Sequence, residues 1–118
     1  MKLNLQELQD QQQWTDKGYK LPQYNIDTVR SRTLAEPGWI HFGAGNIFRV
    51  FPAVLQQQLL NAGLTQTGII VAEAFDEEII DKAYTPFDNL SLMVSLNANG
   101  SIDKEVVASV VHSLKASA

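Results

Sequence analysis

The spacing of hydrophobic residues along this chain changes at Gly38. Before it, apolar positions are sparse. Leu5 and Leu8 mark one side of a short helix from Leu5 to about Gln13. Asn4-Leu5-Gln6-Glu7 has the spacing of a capping box, which sets the Asn4 side chain to accept from the Glu7 amide. From Lys17 to Pro37 the chain carries Gly18, Pro22 and Pro37, with a helical turn expected after Asp27. Residues 1–37 read as an arm that buries little by itself and lies on something else.

Beyond Gly38 the pattern becomes regular. Trp39-Ile40-His41-Phe42 is a short β-favouring run that stops at Gly43-Ala44-Gly45-Asn46. Ile47, Val50, Phe51, Val54, Leu55, Leu59 and Leu60 then recur in steps of three and four residues, which predicts one helical face ended by Asn61-Ala62-Gly63. Pro52 interrupts this stretch and removes an intrahelical bond. Thr67 to Ala72 is a continuous, β-branched apolar run, as expected of a strand covered on both faces. Asp76 is placed to cap a second helix, with Glu77 and Glu78 in its first turn, Ile79, Ile80 and Ala83 as its face, and Thr85-Pro86 as its end. Leu90–Leu96 predicts a third strand and Asn99-Gly100 a hairpin turn. In the last segment, Ile102, Val106, Val110 and Leu114 fit a helix, whereas the valine pairs 106–107 and 110–111 favour a strand; with the hairpin signal, the reading is a strand over Glu105–His112.

The resulting order predicts an α/β fold: a partial Rossmann-like doubly wound sheet, β-α-β-α-β plus a β-hairpin, with an N-terminal arm. Residues 38–118 would be the N-terminal part of a dinucleotide-binding domain. Length allows one domain of 118 residues, with 45% hydrophobic and 19% charged residues, an ordinary globular balance. The net charge of −4 argues against nucleic-acid and membrane-surface binding, both of which need a positive field. The absence of cysteine removes disulfide, thiolate and iron–sulfur chemistry and permits a cytoplasmic location. No run of about 20 apolar residues suggests a membrane span.

The glycine turn carries the chemistry. Gly43 permits a tight exit from the strand, and Gly45 lets backbone amides approach a pyrophosphate without an intervening Cβ. A helix opening near Asn46 and Ile47 aims unpaired N–H groups and its positive dipole end at the same place. Ala44 lies between the glycines, and Arg49 in the first helical turn can reach a phosphate or stand as a surface cation. The third glycine position of G-x-G-x-x-G holds Phe48. Two glycines also make a tight turn without any ligand, and the strand and helix flanking them favour the binding reading. Glu73, closing the second strand, suits both hydroxyls of an adenosine ribose. Asp76, Glu77, Glu78 and Asp81 surround it without an arginine, which favours NAD over NADP; a solvated strand end is the plainer reading of Glu73, and a wet helix face that of the other four. No metal site is expected, since neither histidine lies near these acids in sequence. His41 reads as a packed strand residue, and His112 has no partners at a triad spacing. Trp14, Trp39 and the phenylalanines read as packing residues, with no basic stripe beside them.

The run from Trp39 to Val54, WIHFGAGNIFRVFPAV, resembles the N-terminal cofactor turn of the mannitol dehydrogenase family of long-chain polyol and hexuronate oxidoreductases. Arg49, Ala53 and Val54 match its pattern, and His-Phe-Gly-Ala-Gly-Asn-Ile is similar to its mannitol-phosphate branch. Phe48, Phe51 and Pro52 depart from the family's usual helix start. The likeness extends over about residues 20–115 and implies NAD as cofactor. It also implies hydride transfer to or from a sugar alcohol or keto-sugar acid, without a metal. The family's catalytic lysine, with its asparagine and histidine partners, matches no position here, so no catalytic residue is assigned. Two other functions fit the same turn: a non-catalytic dinucleotide-sensing module and a methyltransferase-like binder of S-adenosylmethionine. A half-sheet of this kind is expected to self-associate through its open edges and faces.

Overall fold

The computed structural model describes residues 1–116. In chain order the elements are α1 (Leu5–Leu8), α2 (Gln11–Asp16), β1 (Tyr19–Lys20), α3 (Ile26–Ala35), β2 (Ile40–Phe42), α4 (Asn46–Val50), α5 (Pro52–Asn61) and β3 (Ile69–Glu73). A π-helical turn (Ile80–Tyr84) and a 3₁₀ turn (Thr85–Phe87) follow, then β4 (Ser91–Leu96), β5 (Ile102–Val107) and β6 (Val110–Lys115).

The strands form two sheets. One is wholly parallel with order β2-β3-β6, and its middle strand β3 is buried at all five positions, four of them the apolar run Ile69–Ala72 and the fifth Glu73. This is the 3-2-1 half of a doubly wound sheet. The other has order β1-β5-β4, with β5 parallel to β1 and antiparallel to β4. The α/β character, the parallel sheet and the hairpin read from the sequence are all present. The strand Leu90–Leu96, however, does not join the parallel sheet. It forms one arm of the hairpin in the second sheet, and the strand beside β3 is β6, reached only after the hairpin. The single strand read over Glu105–His112 is two strands, because the chain passes from one sheet to the other at Ala108-Ser109. Within the hairpin loop only Gly100 takes a positive φ, of 86°, so the turn is not a two-residue Asn-Gly one.

Pro52 accounts for the largest departure in helix packing. It stands in the first turn of α5, and Phe51 before it breaks the helix at φ −119° and ψ −75°. Two helices with different buried faces replace the single face expected from Ile47 to Leu60. The buried residues are Phe48, Ala53, Val54, Gln56, Gln57 and Leu60, whereas Ile47, Val50, Phe51, Leu55 and Leu59 are exposed. The second helix is likewise shorter than expected: a π turn and a 3₁₀ turn follow Ile79, and its cap is not Asp76.

The fully buried Gln57 ties α5 to the crossing between the sheets. Its amide oxygen accepts from Tyr24 Oη and the Ala108 amide, both at 2.8 Å. Its amide nitrogen donates to the Val106 carbonyl and to Glu105 Oε2, both at 2.7 Å. All four hydrogen-bonding positions of the side chain are filled, which turns a costly buried amide into a fixed joint.

The arm is better anchored than its sparse pattern suggests. Asn4 caps α1 through the Glu7 amide at 2.7 Å, as its spacing predicts. The helical turn expected after Asp27 is the ten-residue α3, capped by Asn25 through the Thr28 amide at 2.9 Å. Leu8 and Trp14 are buried with Leu90, Val106 and Ala108, and Val29 is buried with Leu60 and Val111. Asp88 and Asn89, both left-handed at φ 54° and 63°, fasten this layer. Asp88 accepts the Leu5 amide on its carboxylate and Arg30 on its carbonyl, while Asn89 accepts from Ser113 of β6.

Candidate functional site

β2 ends at Phe42, and the Gly43 amide continues the ladder by donating to the Ala72 carbonyl at 2.8 Å. The chain then turns sharply, with Gly43 at φ +114°, a conformation open to glycine and strained for any other residue. Gly45 differs. Its φ of −75° and ψ of −176° suit any residue, and a Cβ built there would meet no protein atom within 4 Å. The fold therefore requires glycine at 43 but not at 45. At Gly45 the small residue leaves open space at the mouth of α4, where a cradle for a ligand backbone needs it.

Between the glycines, Ala44 is fully buried, and two side chains hold its backbone, one from the end of β3 and one from the π turn beyond it. Glu73 Oε1 accepts from the Ala44 amide at 2.8 Å. Tyr84 Oη donates to the Ala44 carbonyl at 2.9 Å. The other carboxylate oxygen of Glu73 accepts from the amides of Phe75 at 3.1 Å and Asp76 at 3.4 Å. These backbone hydrogen bonds, that from Ala44 foremost, hold the Glu73 carboxyl below its ordinary value of 4.5, so it is ionised at neutral pH. Burial pushes the Tyr84 hydroxyl above the ordinary phenol value, partly opposed by the Arg49 cation. It therefore remains a protonated donor.

Arg49 lies over the Tyr84 ring, 5.7 Å from its centroid, and its guanidinium donates to the Asn46 side chain. Its Nε is buried without a partner among the described residues. Gly43, Ala44, Gly45, Asn46, Arg49 and Glu73 are thus brought together at the ends of β2 and β3. Ile47 is at the same helix opening but 81% exposed, its side chain away from the core.

The other candidates take their plainer roles. Asp81 pairs with Lys115 at 2.6 Å and Glu78 with Lys82 at 3.0 Å, both on exposed surface. His41 stacks on Phe48 with ring centroids 4.5 Å apart, and His112 is exposed on β6. Trp14 is buried in the arm, where its Nε1 donates to the Glu7 carbonyl at 3.0 Å. Among the described residues no group of three His, Asp or Glu side chains is arranged to hold a metal ion, and no helix is long and apolar enough to cross a membrane. Sequence reasoning missed Tyr84. It lies 40 residues beyond Ala44, inside a segment read as an ordinary amphipathic helix, and nothing in its spacing marks the contact.

No protein-family model matches the chain. It is 44% identical over 115 residues to D-mannonate oxidoreductase of Thermotoga maritima, a match that covers 98% of this chain and 21% of that protein. The chain therefore spans about a fifth of the length of the curated relative it matches. Among solved structures it is similar to mannitol 2-dehydrogenase of Pseudomonas fluorescens, determined as a ternary complex with NAD and D-mannitol. The TM-score is 0.77 at 24% identity, covering 98% of this chain and 22% of that one. It is also similar to D-sorbitol dehydrogenase in substrate-free form, with a TM-score of 0.69 at 22% identity over 84% of this chain and 20% of that one. The fold is that of the N-terminal Rossmann-like region of mannitol 2-dehydrogenase, and the resemblance read from the glycine turn extends over nearly the whole chain.

Proposed function

We propose that this chain is the adenosine-side half of an NAD-binding domain within a longer polyol or hexonate oxidoreductase. Such an enzyme, in the cytoplasm, moves a hydride between NAD and a sugar alcohol or keto-sugar acid. The observation that carries the reading is the open space at Gly45: glycine stands where the fold does not need it, beside a helix opening and the end of a parallel strand. These residues fit the cofactor. The amides of Gly45, Asn46 and Ile47 would receive the pyrophosphate, with Arg49 beside them, and Glu73 Oε1, which accepts one backbone amide, keeps a lone pair for a ribose hydroxyl. The bound nicotinamide supplies the hydride chemistry; the residues of this chain bind and orient the cofactor's other end. The 44% identity to a D-mannonate oxidoreductase supports the substrate class.

A thermal-shift series on the full-length protein tests the cofactor. NADH is expected to raise the melting temperature more than NADPH at equal concentration, and S-adenosylmethionine not at all. A shift with S-adenosylmethionine alone would favour the methyltransferase-like reading, and an NADH-binding protein without turnover on any polyol or keto-sugar acid would favour the sensor.

Residues 1–37 are proposed to belong structurally to the same unit, as an arm laid across it. The described surface suggests that the unit ordinarily has company. Its accessible area of 7076 Å² exceeds the roughly 6,400 Å² typical of a monomer of this mass. Leu92, Val94 and Leu96 alternate outward along β4, with Ile102 opposite Leu96. The 118 residues expressed alone are therefore expected to bind a hydrophobic dye or self-associate in light scattering. They are also expected to oxidise no NADH with any keto-sugar acid. A dye-negative monomer would contradict the exposed-surface argument.

A further inference from the structure

We propose that Tyr84 is a positioning residue for the diphosphate of the dinucleotide: its hydroxyl fixes the orientation of the Ala44–Gly45 peptide and so aims the Gly45 N–H at the ligand. The inference rests on reading the turn as a dinucleotide site. A trans peptide points its C=O and N–H in opposite directions. The Ala44 carbonyl is turned inward, where Tyr84 Oη donates to it at 2.9 Å from a side chain only 2% exposed. The Gly45 N–H of that same peptide therefore faces away from Tyr84, at a residue whose own Cβ position is open. Its neighbour, the Gly43–Ala44 peptide, has the opposite arrangement: its N–H is turned inward onto Glu73. The two inward bonds thus grip consecutive peptides.

Such a grip is needed because the turn is flexible where it matters. Glycine accepts positive and negative φ about equally, so the 44–45 peptide can rotate through Gly45 at little steric cost. A rotated peptide would withdraw the N–H and present a carbonyl oxygen to the phosphates. Tyr84 opposes that rotation, since it would break a buried hydrogen bond and leave both groups unsatisfied. Its ring also supports Arg49, the cation on the helix that follows the turn. One side chain thereby sets both the donor and the charge facing the ligand.

The test is Tyr84→Phe in the full-length protein, which removes one oxygen and keeps the ring beneath Arg49. The Kd for NADH is expected to rise about tenfold. The KM for NADH should rise by a similar factor, with kcat changing by less than about twofold, as expected when binding is lost away from the reacting end. Tyr84→Leu, which also removes the support for Arg49, should raise the Kd further. A residue that only stabilises the fold would lower the melting temperature and leave Kd and KM unchanged in the folded fraction; that result in Tyr84→Phe would overturn the inference. Failure of the parent protein to bind NADH would overturn the dinucleotide reading itself, a separate and recognisable outcome.

Discussion

Gly45→Val is expected to abolish NADH binding by the full-length protein, raising the Kd by more than about a hundredfold, or about 2.7 kcal/mol, while leaving the protein folded. The two halves of this expectation come from different observations. The backbone at position 45 is extended at φ −75°, so a branched residue brings no left-handed strain, and its Cβ meets no protein atom within 4 Å. The fold loses only the modest preference for glycine over valine at a helix N-cap, about 1 kcal/mol. A ligand diphosphate, by contrast, needs the volume that the valine methyl groups would occupy. Isothermal titration with NADH and a melting curve on the same sample separate the two. If the variant binds NADH as its parent does, the glycine turn serves only the fold. Gly43 could not be used in this way. Its φ of +114° makes any substitution there a disturbance of the backbone first and of the site second.

The parts of this fold that were legible in the sequence are those set by local chemistry. The Asn4 cap, the buried strand Ile69–Glu73, the strand–glycine–helix sequence at Gly43 and the hairpin turn around Asn99-Gly100 each depend on a few adjacent residues, and each is present. What was not legible depends on distant partners. Leu90–Leu96 has the composition of a strand, but a strand's composition does not say which sheet it joins. Its antiparallel pairing with β5 is decided by the hairpin, and only then is β6 free to lie beside β3. The periodicity from Ile47 to Leu60 misled because Pro52 restarts the helix, so residues on either side of it no longer share a face. The buried side then includes Gln56 and Gln57, whose burial depends on carbonyls and amides far along the chain. The turn itself shows the same division. Gly43 and Gly45 are visible as a motif, whereas the grip of Glu73 and Tyr84 on Ala44 is a product of the fold.

Holding the turn is one duty of Glu73; the proposed ribose contact would be a second, and the two can be told apart by the ratio of two affinities. Glu73→Ser combined with Ala74→Arg is expected to shift the NADH-to-NADPH affinity ratio of the full-length protein about tenfold toward NADPH, or about 1.4 kcal/mol. On the proposed ribose reading, removing the carboxylate would take away a hydroxyl acceptor and a negative charge that would repel a 2′-phosphate. Ala74 is exposed and adjacent, so an arginine there can face that phosphate without disturbing the core. The same substitution releases the amides of Ala44, Phe75 and Asp76 that Glu73 now holds, and the loosened turn should weaken both cofactors together. A loss common to both cancels in the ratio; a contact to the ribose does not. The measurement is therefore the pair of dissociation constants in the parent, in Ala74→Arg alone and in the double variant, each obtained by direct titration. Equal weakening with an unchanged ratio would make Glu73 a residue that only shapes the turn, and would remove it from the ribose site. A ratio that changes in the double variant by more than in Ala74→Arg alone, with NADH losing affinity, would show that a carboxylate already engaged by three backbone amides also reads the cofactor.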